Sequence, residues 1–157
     1  MPSVHIARHV RHLPSQMFDL VADIERYPEF VPLCLGARIL RESRDDAGVD
    51  HLIVGMEVGH LAIRQRFTTR DTLDRARMKI HIDHVDGPFR VFENIWTFHA
   101  ETSGLCRVDF TAEYEFRSAV LGGLMGSMFD LAFHKISAAF EARADVVYRR
   151  ALPDGAS

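Results

Sequence analysis

Cysteine is scarce in this chain: two among 157 residues, Cys34 and Cys106, far apart and in no CxxC pair. That excludes a disulfide scaffold; free thiols in a reducing compartment are expected, with a disulfide as the minority alternative. Long apolar runs are missing too. The stretch from Val120 is interrupted by Asp130, His134 and Lys135, so no membrane-spanning helix is expected. The first residues lack the apolar core of a signal peptide and enter a strand-like pattern at once. A cytoplasmic, bacterial-type location is expected, compatible with transient contact at the inner face of a membrane. No charge field is present either: a net charge of −3 with nine histidines does not favour non-specific nucleic-acid binding. GxSxG, P-loop, GxGxxG, HExxH and Cys/His metal spacings are all absent. No repeat, low-complexity segment or internal linker divides the chain. With 47% hydrophobic and 26% charged residues, one domain over residues 1–148 is expected, followed by a disordered tail over 149–157 with Pro153 and Gly155.

What is present is periodicity. Val120 to Tyr148 has no proline, and at 100° per residue it places Leu121, Met125, Met128, Phe129, Ala132, Ile136, Ala139, Phe140 and Val147 on one face. Gly123, Ser127, Asp130, His134, Ser137, Glu141 and Asp145 take the other. Burying the larger apolar side chains would contribute roughly 10–20 kcal/mol at about 1.5–3 each, so this helix needs an apolar dock. The dock is legible upstream. Ser3 to His12 alternates, with Val4, Ile6 and Val10 opposite His5, His9 and Arg11. A short helix follows, with Ser15 as its expected N-cap ahead of Met17, Phe18, Leu20 and Val21.

From Ala37 to Arg117 the period stays near two, and turn signals at 45–48, Gly59, 74–75, 86–88 and 102–104 separate six strands of an antiparallel meander. The expected inward sets are Leu52, Val54, Met56 and Val58; Leu61, Ile63 and Phe67; Met78, Ile80 and Ile82; and Val108, Phe110, Ala112, Tyr114 and Phe116. Arg64, Arg66 and Arg70 point outward. Phe89 to His99 is apolar on both parities, and pattern alone leaves its facing open. The expectation is an α+β fold: a seven-stranded curved antiparallel sheet against a long C-terminal helix, with two short helices after the first strand and a cavity between helix and sheet.

Tyr27-Pro28-Glu29-Phe30-Val31-Pro32-Leu33-Cys34 combines two prolines with mostly apolar side chains. Such a segment is neither a regular helix nor a solvent loop, and a rigid turn facing the core or a ligand is expected. Tyr27, Phe30, Phe92, Trp96, Phe98, Met125, Met128, Phe129 and Phe133 could line a pocket for a large apolar ligand or form plain core. Gly122, Gly123 and Gly126 each weaken the helix start by about 1 kcal/mol relative to alanine, which suits a mobile gate over residues 122–126 above a fixed anchor over 136–147. Polar residues of inward parity are Gln65, Thr69, Asp71 and His84. They suit acid–base work or, more plainly, a wet end of the sheet. Histidines 5, 9 and 12, and His81 with His84, do not converge on a metal. Lys135 and Arg143 project from the apolar helix face, where Arg143 either pairs with an inward carboxylate, holds a ligand head group, or snorkels.

Together these residues resemble a known family. The octapeptide is similar to the signature of the coenzyme Q-binding (Coq-ten-type) proteins of the START-like, polyketide cyclase/dehydrase superfamily. Gly87-Pro88-Phe89-Arg90, Trp96-x-Phe98 and Ala139-Phe140-Glu141-Ala142-Arg143-Ala144 match it in order and spacing. The resemblance implies a helix-grip fold and non-enzymatic binding or chaperoning of ubiquinone in support of respiration, with ubiquinone as a bound ligand rather than a cofactor. It makes Tyr27, Phe30, Val31, Pro32, Trp96 and Phe98 lipid-contact candidates. With Leu33, Phe92, Met125, Phe129 and Phe133, these form the expected ligand-binding set. Many members carry tryptophan where this chain has Leu33, which removes one stacking surface for a quinone head. Bacterial relatives are also known as ribosome-association toxins, so a translation inhibitor that binds the large ribosomal subunit is the second expectation. A cyclase or aromatase using Asp71, His84 or Gln65 is the third.

Overall fold

Seven strands form one antiparallel sheet in the computed structural model, which describes residues 3–148; the tail expected over 149–157 lies outside the described residues. The strands are β1 (Ser3–Val10), β2 (Cys34–Arg44), β3 (Asp50–His60), β4 (Ile63–Asp74), β5 (Lys79–Asp86), β6 (Phe89–Ala100) and β7 (Cys106–Phe116). Their order is β1-β7-β6-β5-β4-β3-β2. Strands β2 to β7 meander through short turns, and β1 closes onto β7. Helix α1 (Pro14–Ala22) and a 3-10 segment (Ile24–Glu29) follow β1, and α2 (Ala119–Val147) crosses the concave face. The expected α+β helix-grip arrangement is present, down to the two short helices.

Local chemistry moves several boundaries. Helix α1 starts one residue before the expected cap. Pro14 occupies the first helical position, where its fixed φ and missing N–H cost nothing, and the Gln16 side chain accepts from the Leu13 N–H at 2.9 Å. Ser15 is therefore inside the helix. The β3–β4 hairpin turns at Leu61-Ala62, two residues past Gly59. Gly59 instead lies within β3, at a close approach that only glycine fits, since a Cβ there would meet the Ile63 carbonyl at 2.3 Å. Leu61, expected inward, is 84% exposed at φ 57 in the turn itself. Met78 likewise sits in the turn before β5, at φ 51 and half-buried.

The two-sided apolarity of Phe89 to His99 has a structural cause. A bulge between Phe89 and Val91 shifts the β6 register by one, so Phe89, Phe92, Trp96 and Phe98 all turn inward. Gly87 precedes this bulge at φ 142, where any Cβ would meet Phe67 Cβ at 2.4 Å.

Helix α2 begins at Ser118, whose hydroxyl accepts from the Val120 and Leu121 N–H groups. Its buried stripe is Met125, Phe129, Phe133, Phe140 and Ala144, with Ser137 also buried. The large members contribute roughly 6–12 kcal/mol, at about 1.5–3 each. That is narrower than the expected stripe: Val147 is 49% exposed. Ser137 and Glu141, expected on the wet side, instead meet Arg8 of β1, with Arg8 Nη1 2.9 Å from Glu141 Oε1. Asp145 bonds buried His12 at 2.8 Å. In the C-terminal half of the helix, Phe140 packs edge-on against Trp96, Tyr27 and Phe30.

Candidate ligand cavity

The close backbone contacts of α2 are with β1, β7 and α1. Between its middle turns and β3–β6 lies a cavity of about 80 Å³, partly open to solvent. The octapeptide forms one wall. The 3-10 segment carries Pro28 inside it and ends at Glu29, Val31 donates back to the Tyr27 carbonyl at 2.8 Å, and Leu33 takes φ 65 before Cys34 enters β2. This folded turn is tied to β3 by the Gly59 N–H, which donates to the Leu33 carbonyl at 3.0 Å.

Of the expected ligand-binding set, Tyr27, Val31, Pro32, Leu33, Phe92, Phe129 and Phe133 line the cavity. Four do not. Trp96 is 1% exposed and packs against Phe110 (4.5 Å between ring centroids) and Phe140 (5.0 Å). Phe98 lies beneath Trp96 and Phe18, Met125 is fully buried, and Phe30 packs edge-on against Phe140 at the outer side of the octapeptide. These four side chains are core or rim. The cause is sheet curvature: inward parity brings a residue to the concave face, but proximity to α2 decides whether it meets a gap or a neighbour. Met56, Val58, Phe67, Ile82, Ala132 and Ile136 also line the cavity without having been singled out as ligand contacts. In the sequence, inward strand parity marked Met56, Val58, Phe67 and Ile82, and the helical stripe marked Ala132 and Ile136.

The polar candidates separate in the same way. Thr69 and Asp71 are each 2% exposed and line the cavity, so the plain expectation of a wet sheet end fails for them. Thr69 Oγ1 donates to Asp71 Oδ1 at 2.7 Å. Burial pushes the Asp71 carboxyl up to about 7, against the lowering effect of Thr69, with Asp83 adding to the rise. Among the described residues no cation pairs with it. Gln65 is half-buried and outside the cavity. His84 pairs with Thr69 across the strands, but its ring sits edge-on to Phe89 and its Nε2 has no partner. Burial, then Arg117, lowers the His84 pKa. Among the described residues no hydrogen bond joins His84 or Gln65 to Asp71, so the three do not form one acid–base unit. Asn94 was not anticipated. It is 6% exposed, lines the cavity, and its Oδ1 has no partner.

Other groups near the site are settled by their neighbours. The Tyr27 hydroxyl donates to the Val21 carbonyl, and burial raises its pKa well above the usual value. Both thiols are buried, which pushes Cys34 and Cys106 to about 11 and leaves them unreactive at neutral pH. Arg143 resolves in favour of a carboxylate partner. Its Nη2 bonds Glu29 Oε1 at 2.7 Å and its guanidinium lies 5.1 Å over the Phe30 ring, fastening the octapeptide to α2. Lys135 is exposed rather than on the apolar face. On the outer face of the sheet His81 bonds both Glu93 (2.8 Å) and Asp83 (3.3 Å), a trio compact enough to hold a cation. Arg64 and Arg66 are exposed, and both pair with Glu57.

A curved seven-stranded sheet gripping a long C-terminal helix over a cavity is the helix-grip architecture of the START superfamily. A START superfamily protein from Mycobacterium smegmatis superposes with a TM-score of 0.75 at 18% identity, covering 93% of this chain and 99% of that one. The profile of the family described as polyketide cyclase / dehydrase and lipid transport matches residues 10–141, and the chain belongs to that family. Among curated relatives, the ribosome association toxin RatA of Vibrio cholerae is 34% identical over 134 residues, covering 85% of this chain and 89% of that one. The mitochondrial coenzyme Q-binding protein COQ10 homolog B of Xenopus laevis is 28% identical over 140 residues, covering 87% of this chain and 55% of that protein. No helix among the described residues is long and apolar enough to cross a membrane.

Proposed function

We propose that this protein binds a small, mostly apolar lipid in the cavity under α2, without catalysing a reaction, and that the ligand is ubiquinone or a similar ring-and-tail isoprenoid. The observation that carries this reading is the cavity itself: an apolar gap walled by the octapeptide and α2, with a few buried polar groups at one side, the usual composition of a ligand site. The similarity to a protein named for coenzyme Q binding supports it. The separation of Asp71, His84 and Gln65 speaks against an acid–base enzyme. At about 80 Å³ the cavity is smaller than the roughly 150 Å³ that accepts benzene, so a wall must move to admit a ring. The glycine-rich start of α2 and the octapeptide are the walls available. Native mass spectrometry of protein purified from its own host is expected to show a co-purifying lipid. Absence of any such mass, together with no uptake of added ubiquinone, overturns the reading.

A second reading rests on the higher identity to a protein named as a ribosome association toxin: binding to the large ribosomal subunit and inhibition of translation. Sedimentation of ribosomes with added protein separates the two, since a lipid carrier leaves subunit association unchanged. The outward arginines give this reading little electrostatic support, because Glu57 neutralises two of them.

A further inference from the structure

Asp71, Ile82 and Asn94 are direct cross-strand neighbours on β4, β5 and β6. Asp71 and Asn94 therefore face the same cavity from positions two strand spacings apart, about 10 Å at the backbone. Hydrogen-bonding capacity on this side of the cavity is lopsided. The Thr69 hydroxyl spends its proton on Asp71, the Tyr27 hydroxyl on the Val21 carbonyl, and the Cys34 thiol on the Gly36 carbonyl at 3.6 Å. The nearby hydroxyl and thiol donors are committed within the protein. Acceptor capacity is not. Asn94 Oδ1 is buried with no partner, and Asp71 receives one bond where an ionised carboxylate can accept about four. A buried acceptor left empty costs free energy, and a ligand that donates to it recovers that cost. The surrounding walls are Phe67, Phe92, Phe129 and Phe133, surfaces suited to an aromatic ring.

We propose that Asp71 and Asn94 form an acceptor pair that selects ligands carrying ring hydroxyls, so that the cavity prefers a hydroxylated aromatic head, the reduced form of a quinone included, over the same ring bearing only carbonyl or ether oxygens. This rests on the reading of the cavity as an apolar-ligand site and adds what that reading leaves open, the chemistry of the head group. With Asp71 ionised, a carbonyl or ether oxygen offers the carboxylate and Asn94 Oδ1 no proton and leaves both unfilled. A hydroxyl donates to one of them while its ring lies against the phenylalanines. Asp71 and Asn94 act here as specificity-determining groups, with no bond made or broken.

The test compares hexylresorcinol with its dimethyl ether, which keeps ring, tail and oxygens but removes the donors. Calorimetric titration at about pH 8, above the Asp71 value, keeps the carboxyl ionised. The resorcinol is expected to bind about tenfold or more tighter, as one hydrogen bond to a charged or otherwise empty buried acceptor implies. In Asn94→Leu and Asp71→Asn the gap between the two ligands narrows, while ether binding is kept or improved. Equal affinity of the two ligands for the wild-type protein overturns the acceptor pair and leaves the apolar-ligand reading intact. Binding of neither ligand overturns the acceptor pair, and uptake of added ubiquinone then decides the apolar-ligand reading separately. The wild-type comparison decides the matter even if a variant fails to fold.

Discussion

Asp71 carries the residue-scale consequence with the widest reach. Its carboxyl is buried without a cation, so the neutral form is favoured in the fold and its value rises from 3.8 to about 7. Between those values the native state holds a proton that the unfolded chain has released. Stability therefore falls as pH rises through that window and levels off above it. The cost at its fullest is on the order of 4 kcal/mol. Asp71→Asn, a neutral near-isostere, is expected to flatten this dependence: thermal denaturation at about pH 8 should give a melting temperature on the order of ten degrees above wild type, with the difference shrinking toward pH 5. A variant less stable than wild type at the higher pH would contradict the assignment. Trp96 makes the opposite point. Its motif suggested a ligand contact, yet it stacks among Phe98, Phe110 and Phe140 at 1% exposure. Trp96→Ala is expected to cost about 3–5 kcal/mol in a denaturant melt. Phe133→Ala, on the cavity wall, should instead lower ligand affinity along with a smaller loss of stability, since part of its surface already faces a gap.

At the scale of elements, α2 has two unlike halves. Its C-terminal half is held by side chains from three directions: Arg8 to Glu141, His12 to Asp145, and Arg143 to Glu29 across the Phe30 ring. In its N-terminal half, a Cβ added at Gly123 or Gly126 would meet nothing within 4 Å, so no packing reason forbids alanine there. Gly123→Ala with Gly126→Ala is expected to stabilise the protein by about 1–2 kcal/mol and to slow amide hydrogen exchange over residues 119–126. Ligand entry should slow in the same variant if this half is the gate; an unchanged on-rate would move the gate to the octapeptide. The Arg143–Glu29 clamp is testable separately. With its arginine side chain 20% exposed and its glutamate 48% exposed, the pair contributes about 1 kcal/mol at most. Arg143→Ala should therefore loosen the octapeptide, read as faster exchange at the Val31 and Cys34 amides, with only a small drop in melting temperature.

On the scale of the whole molecule, the arrangement follows from a width mismatch. One helix lies along β1 and β7, while the sheet runs on through β6 to β2. The uncovered half has to curl toward the helix or leave a gap, and both occur. The octapeptide and α1 fill part of the opening with aromatic side chains, and the remainder is the cavity. Because this cavity forms where elements distant in sequence fail to meet, ligand binding should stiffen the β3–β5 half of the molecule more than the β1–β7 half. Hydrogen exchange with and without bound lipid would reveal that asymmetry, and uniform protection would argue against a ligand in this cavity.

Periodicity in the chain was sufficient for the sheet, its strand count and the docking helix, because alternation and helical spacing are local properties that survive in the folded state; the octapeptide was marked by its prolines and apolar composition instead. Local sterics that pattern does not carry moved the boundaries: the Gly59 close approach, Pro14 at a helix start and the bulge after Phe89. The site was legible only in part. Parity identified Thr69 and Asp71 as inward but could not say whether inward meant wet or dry, since that depends on which strand lies beneath the helix. Asn94 was hidden in an aromatic strand of undecided facing, and Arg143 had several partners open to it until the octapeptide brought Glu29 to its side. Residue type and spacing determined which side chains reach the concave face; tertiary packing decided which of them meet a neighbour and which meet empty space, because a cavity is defined by atoms that are far apart in sequence.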